Sequence, residues 1–169
     1  KPISIFHIMT IKKSPNSIFA FFAVSAIILV FFTTSGGINI ISDSVTYLQT
    51  SNNIAAGVGV QDYSGHTLAQ MIHFPPLYPA ILSIFIKLGI DPLSGARAIS
   101  AIAFAIIIFF VGKLTYGASK SLWAAFFASC FVLFSSTAVL IHSFVLTEPS
   151  FIVFALSSFI MLALYFKLN

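Results

Sequence analysis

Long apolar runs separated by short polar stretches dominate the pattern of this chain. A helix needs about 20 apolar residues to cross the hydrocarbon core of a bilayer. Four runs have about this length, and they cover residues 17–34, 96–114, 121–141 and 149–166. The sequence therefore predicts an all-α integral membrane protein with about four transmembrane helices, and the first run is interpreted as a retained helix rather than a signal peptide.

A fifth apolar run, PLYPAILSIFIKLGI at residues 76–90, is short for a span. It contains Pro79 and ends near Lys87 and Gly89, which suits an interfacial or re-entrant helix. If this run does not cross, the charges sort by side. One side then carries the lysines Lys12, Lys13, Lys113, Lys120 and Lys167, and the other carries the carboxylates Asp43, Asp62, Asp91 and Glu148.

The positive-inside tendency places the lysine side in the cytoplasm, with both termini of the chain. Crossing by residues 76–90 would instead move Lys113 and Lys120 outside, so the non-crossing arrangement is favoured. Lys87 and Arg97 are exceptions, because they are cations on the outer side, and their position needs a separate explanation. We expect the carboxylates, and any functional site that they form, on the outer, periplasmic face of a bacterial plasma membrane.

We expect residues 1–169 to form a single transmembrane module of a longer chain, with a large outer loop at residues 35–95. Within this loop, Ser42 or Asp43 is expected to cap a short amphipathic helix that ends near Gly57. The polar, Gly-rich stretch GVGVQDYSGHT that follows shows no clear element.

Two short connections complete the predicted topology. A tight cytoplasmic turn at residues 115–120 joins the second and third spans. An outer turn at residues 142–148 joins the third and fourth, with Thr147 as a helix cap and Glu148 in the first helical turn.

Composition supports the membrane class and narrows the partners. The chain is 59% hydrophobic and 7% charged, whereas a soluble domain carries about 25% charged residues. Its net charge of +4 is spread over helix ends, which indicates orientation in a lipid bilayer rather than binding of nucleic acid. The single cysteine, Cys130, excludes an internal disulfide and a cysteine-cluster metal site.

Four polar residues on the carboxylate side are candidates for chemistry. Asp43 and Glu148 are ionisable groups at the mouth of a helix bundle, although plain helix capping and dipole compensation are alternatives for both. Arg97 presents a planar fork of donors that suits a phosphate, with interfacial snorkelling as its alternative. His73 is a weaker candidate, and no ligand spacing joins it to Asp43 and Glu148 as a metal site.

The order of short motifs resembles a known family. SDSVTYLQ follows the first span, PPLYP leads into the short apolar helix, GARAISAIAF opens the second span, and GKLTYG and TEPSF form the two later turns. This order is similar to the N-terminal part of GT-C glycosyltransferases that use polyprenyl-phosphate sugars. The most similar groups are the protein O-mannosyltransferases and the aminoarabinose-transferase-like enzymes, which are glycosyltransferase family 39-like.

The resemblance implies an enzyme that moves a sugar from a polyprenyl-phosphate donor to an acceptor hydroxyl, with inversion. It implies Asp43 as the catalytic carboxylate and general base, Glu148 as a second acid, and Arg97 near the donor phosphate. Relatives often carry a basic residue directly before the Pro-Pro pair, whereas here His73 is displaced by one residue, with Phe74 between. Relatives also often carry paired acids, where this chain has Asp43 followed by serine.

A divalent metal on Asp43 and Glu148 is the one cofactor that the resemblance suggests, and the acceptor stays open. Two other functions are weighed against the enzyme. One is a non-catalytic structural or lipid-binding subunit of a larger membrane complex. The other, half of a transporter, would require breaks in mid-span, and residues 135–137 give only a weak signal of one.

Overall fold

The computed structural model describes residues 16–64 and 67–168. Seven α-helices and one two-stranded hairpin follow one another along this part of the chain. They are α1 (Asn16–Thr33), α2 (Ser42–Ala55), β1 (Gln61–Ser64), β2 (Thr67–Gln70), α3 (Leu77–Lys87), α4 (Pro92–Ser119), α5 (Leu122–Leu133), α6 (Ser136–His142) and α7 (Glu148–Leu168).

Three of these helices, α1, α4 and α7, are long and apolar enough to cross a membrane. The helices α5 and α6 form a fourth span if the bent pair is counted as one. The helix α3 has 11 residues and a length of about 17 Å, which is well short of a bilayer core about 30 Å thick. The prediction of an all-α integral membrane fold with juxtamembrane helices is confirmed.

The predicted span over residues 121–141 consists of two helices, α5 and α6, rather than one continuous helix. The axes of α5 and α6 differ by 56° across the break. Ser135 lies at the break, and its Oγ accepts from the backbone N–H of Ala138 at 3.4 Å and so caps a new helix. The weak signal at residues 135–137 was therefore a real helix boundary.

The Gly-rich stretch of the outer loop contains a hairpin, which sequence analysis missed. Antiparallel pairing runs from Gln61 opposite Gln70 to Ser64 opposite Thr67. The Nδ2 of Asn53 in α2 donates to the Gln61 carbonyl at 2.8 Å. Pairing supplies partners for backbone groups of a polar segment that has few apolar side chains to bury.

The predicted turn at residues 115–120 is mostly helical. The helix α4 continues to Ser119 and ends at Lys120, whose φ of 58° is left-handed. Hydropathy falls in this segment, but no proline stops the helix, and the ring of Tyr116 packs 6.2 Å from that of Phe19 in α1. The predicted span ended at residue 114, where the sequence becomes more polar, whereas the helical hydrogen bonds of α4 continue to Ser119.

The helix α4 is the centre of the bundle and packs against α1, α3, α5 and α7. Its core contacts join Phe22, Ala26 and Val30 of α1 to Phe104 and Ile108 of α4. The helices pack tightly at Gly112, where an added Cβ would lie 2.7 Å from the Phe19 ring and 2.8 Å from the Ser129 Oγ.

The two ends of the bundle differ in charge. At one end α1 stops and α4 and α7 begin, and we call this the carboxylate end because Asp43, Asp91 and Glu148 lie there. Lys113 and Lys120 lie toward the other end, near the start of α5. Lys12 and Lys13 are outside the described residues, and the side chain of Lys167 is not described.

A second core cluster packs α2 and α3 on the carboxylate end. It buries Ile38, Tyr47, Tyr78, Leu82, Ala96 and Val145. These residues come from α2, α3, α4 and the two segments that precede α2 and α7. The cluster therefore fixes the outer loop against the turn between α6 and α7, and this is where the candidate site lies.

Candidate functional site

The segment before α2 pairs with the turn after α6. Asn39 and Phe144 form a parallel bridge. The N–H of Asn39 donates to the Ser143 carbonyl at 2.9 Å, and the N–H of Val145 donates to the Asn39 carbonyl at 3.0 Å. We call this the loop–turn contact, and it joins segments that are about a hundred residues apart in the chain.

Ser44 extends the loop–turn contact into α2. Its Oγ donates to the Val145 carbonyl at 2.8 Å and accepts from the N–H of Ile41 at 3.0 Å. Ser44 is fully buried. Ser44 thus fixes the start of α2, and its side chain faces the turn.

Asp43 lies in the first turn of α2, which corrects the prediction that Ser42 or Asp43 caps this helix. The N-cap is Ile41, and the helix begins at Ser42. The Ser44 hydroxyl accepts from the N–H of the N-cap residue, whereas Ile41 has no side-chain oxygen that could accept from the first turn. The Asp43 carboxylate is half-buried and accepts from the Ser42 Oγ at 3.2 Å.

Glu148 begins α7 and is exposed. The preceding Thr147 accepts from the N–H of Phe151 through its carbonyl, which is the first bond of that helix. The Thr147 hydroxyl lies 3.5 Å from the Tyr47 hydroxyl. The helices α2 and α7, which carry the two acids, are therefore held together by the contacts of Ser44 with Val145 and of Tyr47 with Thr147.

Two tyrosines lie beside these acids, and sequence analysis did not single them out. The rings of Tyr47 and Tyr78 meet edge to face with centroids 5.4 Å apart. Burial raises the pKa of the Tyr47 phenol, the Thr147 hydrogen bond opposes this, and the charges of Glu148 and Asp43 raise the pKa further. The spacing of Asp43 and Tyr47, four residues apart on a helix, was a signal that could have found the first tyrosine.

The pKa of Tyr78 is also raised, mainly by burial, with smaller contributions from Tyr47 and from the Glu148 carboxylate. The Tyr78 hydroxyl is buried and has no hydrogen-bond partner among residues 16–64 and 67–168. Both phenols therefore stay protonated at neutral pH, and each can donate a hydrogen bond beside a carboxylate.

An open cavity of about 250 Å³ lies between α3 and α7, beside this pair. Its wall combines one carboxylate, three hydroxyl side chains, two phenylalanine rings and three aliphatic residues. The lining residues are Pro75, Leu77, Tyr78, Ile81, Thr147, Glu148, Ser150, Phe151 and Phe154.

Arg97 connects α4 to the end of α1. Its Nε donates to the Thr34 Oγ1 and its Nη2 donates to the Phe31 carbonyl, both at 2.7 Å. The guanidinium also lies 4.4 Å from the centroid of the Phe31 ring. A cation at the C-terminus of α1 is stabilised by the helix dipole, which explains why this cation is retained at the carboxylate end.

His73 lies in the turn that leads into α3, and its side chain is exposed. The neighbouring Phe74, which occupies the position directly before the two prolines, packs edge to face on Tyr47 with centroids 5.1 Å apart. Phe74 thus faces the tyrosines of the site. In this chain it contributes an apolar ring.

No three histidine, cysteine, aspartate or glutamate side chains are close enough to hold a metal ion in the part of the chain that the structure describes. Asp43 and Glu148 stay candidates as a pair of oxygen donors. Asp91, directly before α4, has a structural role, because it caps that helix by accepting from the Ser94 N–H at 2.9 Å.

The fold and this site together define a polytopic membrane protein whose acids, phenols and guanidinium lie at one end of the helix bundle. Comparison with protein-family models matches residues 63–169 to dolichyl-phosphate-mannose-protein mannosyltransferase. The chain belongs to this family, whose members are membrane glycosyltransferases with a polyprenyl-phosphate sugar donor. No curated protein and no solved structure matches the chain.

The family match confirms the resemblance that the motif order indicated. His73, Arg97 and Glu148 lie within the matched residues, and Asp43 lies before them. The roles of these four residues stay predictions.

Proposed function

We propose that this protein transfers a sugar from a polyprenyl-phosphate donor to an acceptor hydroxyl, with Asp43 as the general base. The observation that carries the proposal is the convergence of Asp43 and Glu148 at one end of the bundle. The loop–turn contact and the Ser44 bond to Val145 hold their helices in a fixed arrangement. Family membership supports the donor class.

In the proposed reaction the Asp43 carboxylate takes the proton of the acceptor hydroxyl. The acceptor oxygen forms a bond to the anomeric carbon while the bond from that carbon to the phosphate oxygen breaks. Polyprenyl phosphate leaves with the electron pair. Attack from the face opposite the leaving group inverts the anomeric configuration.

The other candidate residues have supporting roles in this proposal. Glu148 orients the acceptor by accepting hydrogen bonds from its hydroxyl groups, because it lines the cavity beside α3. Arg97 attracts the donor phosphate with a guanidinium whose Nη1 makes no bond among the described residues. His73, whose side chain is exposed, is a second contact for the same phosphate.

The donor tail is a lipid, so the reaction takes place at a bilayer boundary, where the carboxylate end lies. We place this end on the outer face of a bacterial plasma membrane, which is supported by the predicted excess of lysines on the opposite side.

The test is a transfer assay on full-length protein in liposomes, with Asp43→Asn as the variant. The amide has nearly the same shape but cannot accept the proton, so we expect the rate to fall by about a hundredfold or more. Asp62→Asn in β1 is the matched control and should keep wild-type activity. The anomeric configuration of the product, measured by NMR, should be inverted.

Wild-type activity in the Asp43→Asn protein would contradict the role of Asp43. If the wild-type protein binds the donor but transfers its sugar to no acceptor, the alternative of a non-catalytic lipid-binding subunit would be favoured instead.

A further inference from the structure

The cavity beside Glu148 adjoins a second cavity between the apolar helices α4 and α7. Ile81, Ser150 and Phe154 line this cavity, which we call the head cavity, and also line a second cavity of about 210 Å³ between α4 and α7. We call the second cavity the tail groove. The two cavities share three lining residues and are therefore neighbours, and we call the pair the passage.

The head cavity suits a neutral, hydroxyl-bearing group. Its wall carries the Glu148 carboxylate and the hydroxyl residues Tyr78, Thr147 and Ser150, and no cation. A phosphate would meet a like charge there, and Arg97, to which the donor phosphate is assigned above, does not line this cavity. Tyr78 has a buried hydroxyl without a hydrogen-bond partner in the described ranges, and a bound hydroxyl would supply one.

The tail groove is apolar apart from Ser150. Ile99, Ile102, Ala103 and Ile106 of α4 line one side, and Val153 and Phe154 of α7 line the other. Further along the same pair of helices, Leu156, Ile160 and Ala163 line a third apolar cavity of about 390 Å³. These residues follow Val153 at intervals of three and four, so they continue the same face of α7.

We propose that the acceptor is an amphiphile, whose hydroxyl head occupies the head cavity and whose hydrocarbon chain occupies the tail groove. This inference rests on the proposed transfer reaction and specifies its acceptor. Charge decides between the two lipid substrates, because the polar end of the passage carries a carboxylate and hydroxyl groups without a cation. An acceptor hydroxyl fits that end, and a donor phosphate does not.

The experiment compares methyl, octyl and dodecyl β-glucoside as acceptors for full-length protein in liposomes, with a soluble serine-containing peptide as a fourth acceptor. For the wild-type protein, kcat/KM should rise at least about tenfold from methyl to dodecyl glucoside, because buried methylene groups add binding free energy. Tyr78→Phe should raise KM for the glucosides more than it lowers kcat.

Partition of long chains into the liposome would raise apparent affinity by itself, so a matched pair of variants separates the two effects. Val153→Phe fills the tail groove, whereas Ile152→Phe adds a ring at the neighbouring position, which lines none of the three cavities. Only Val153→Phe should reduce the preference for dodecyl over methyl glucoside, by about tenfold. Dodecyl glucoside with a diazirine in its chain should label α4 and α7 in the wild-type protein.

Transfer with the same chain preference in both variants would overturn the amphiphile acceptor, and so would transfer to the peptide alone. Either result leaves the transferase itself intact and assigns the groove to the donor chain or to another helix. Loss of transfer to every acceptor, peptide included, would instead contradict the proposed reaction, and absence of diazirine label from α4 and α7 would exclude the groove independently of activity.

Discussion

Tyr78 is the residue whose environment differs most from that of an ordinary surface tyrosine. Its side chain is 3% exposed, its hydroxyl has no partner among the described residues, and its pKa is raised from the ordinary value of 10. A phenol that holds its proton more tightly in the folded state contributes its full stability below pH 10 and loses it as the pH rises toward the raised pKa.

Tyr78→Phe therefore has a predictable effect on stability. At neutral pH the variant should unfold with a free energy equal to that of wild type or about 1 kcal/mol higher, because it removes a buried polar group without a partner. Above pH 10 the advantage should grow by about 1.4 kcal/mol per pH unit, since only the wild-type unfolded state gains an ionised phenol at this position.

Reversible unfolding of both proteins in detergent micelles, followed over this pH range, measures that difference. Other titrating groups cancel between the two proteins. A variant that is less stable at neutral pH, or a difference that does not change with pH, would show that the hydroxyl is solvated or bonded in the folded protein.

The candidate residues themselves illustrate what a sequence can predict. Sorting charges by side placed Asp43 and Glu148 at one end of the bundle, because that argument needs only the number of crossings. The buried pairing of Ser44 with Val145 was not predictable, since it depends on how two distant segments meet. The contact of Tyr47 with Thr147 was not predictable for the same reason.

At the scale of elements, the contact between α2 and the turn before α7 determines where Asp43 lies. Ser44→Ala would leave the N–H of Ile41 and the carbonyl of Val145 without this shared partner. We expect a loss of about 1–3 kcal/mol in stability. We also expect a fall in transfer activity that exceeds the unfolded fraction, because Asp43 is no longer held.

Thr46→Ala is the control for this variant, because it removes a hydroxyl from the same helix at a position with no described bond to the turn. Unfolding and transfer are measured on the same preparations. Equal effects of the two variants, or full activity in Ser44→Ala, would show that this hydrogen bond does not position the acid.

The close approach of three spans at Gly112 gives a second prediction about elements. A methyl group there would overlap the fully buried Phe19 ring and the Ser129 hydroxyl. Gly112→Ala should therefore destabilise the packing of α1, α4 and α5 by about 1–3 kcal/mol. Gly36→Ala, where an added Cβ meets nothing within 4 Å, should leave the unfolding transition unchanged, and equal stability of the two variants would contradict the close packing.

The helices also show where hydropathy was a poor guide. It located the spans because every backbone polar group in lipid must be satisfied within a helix. It did not locate the break at Ser135 or the end of α4, because capping and chain continuation depend on local hydrogen bonds rather than on polarity.

At the scale of the whole molecule, the account depends on α3 lying at the membrane surface. This helix packs against α2 and α4 and is shorter than the helices that could cross. The helix α1 ends at the end of the bundle where α4 and α7 begin. The sequence could predict this arrangement from the length of the run at residues 76–90 and the sidedness of the lysines. It could not predict the passage between α4 and α7, which arises from the packing of side chains on two distant helices.

The most direct test of this arrangement is the accessibility of single cysteines to a membrane-impermeant thiol reagent, in a Cys130→Ala background. Cysteines at positions 43 and 148 should react from one side of the membrane, and cysteines at 113 and 120 from the other. Reaction of positions 43 and 148 from opposite sides would contradict the account, because the two carboxylates could then not belong to one site.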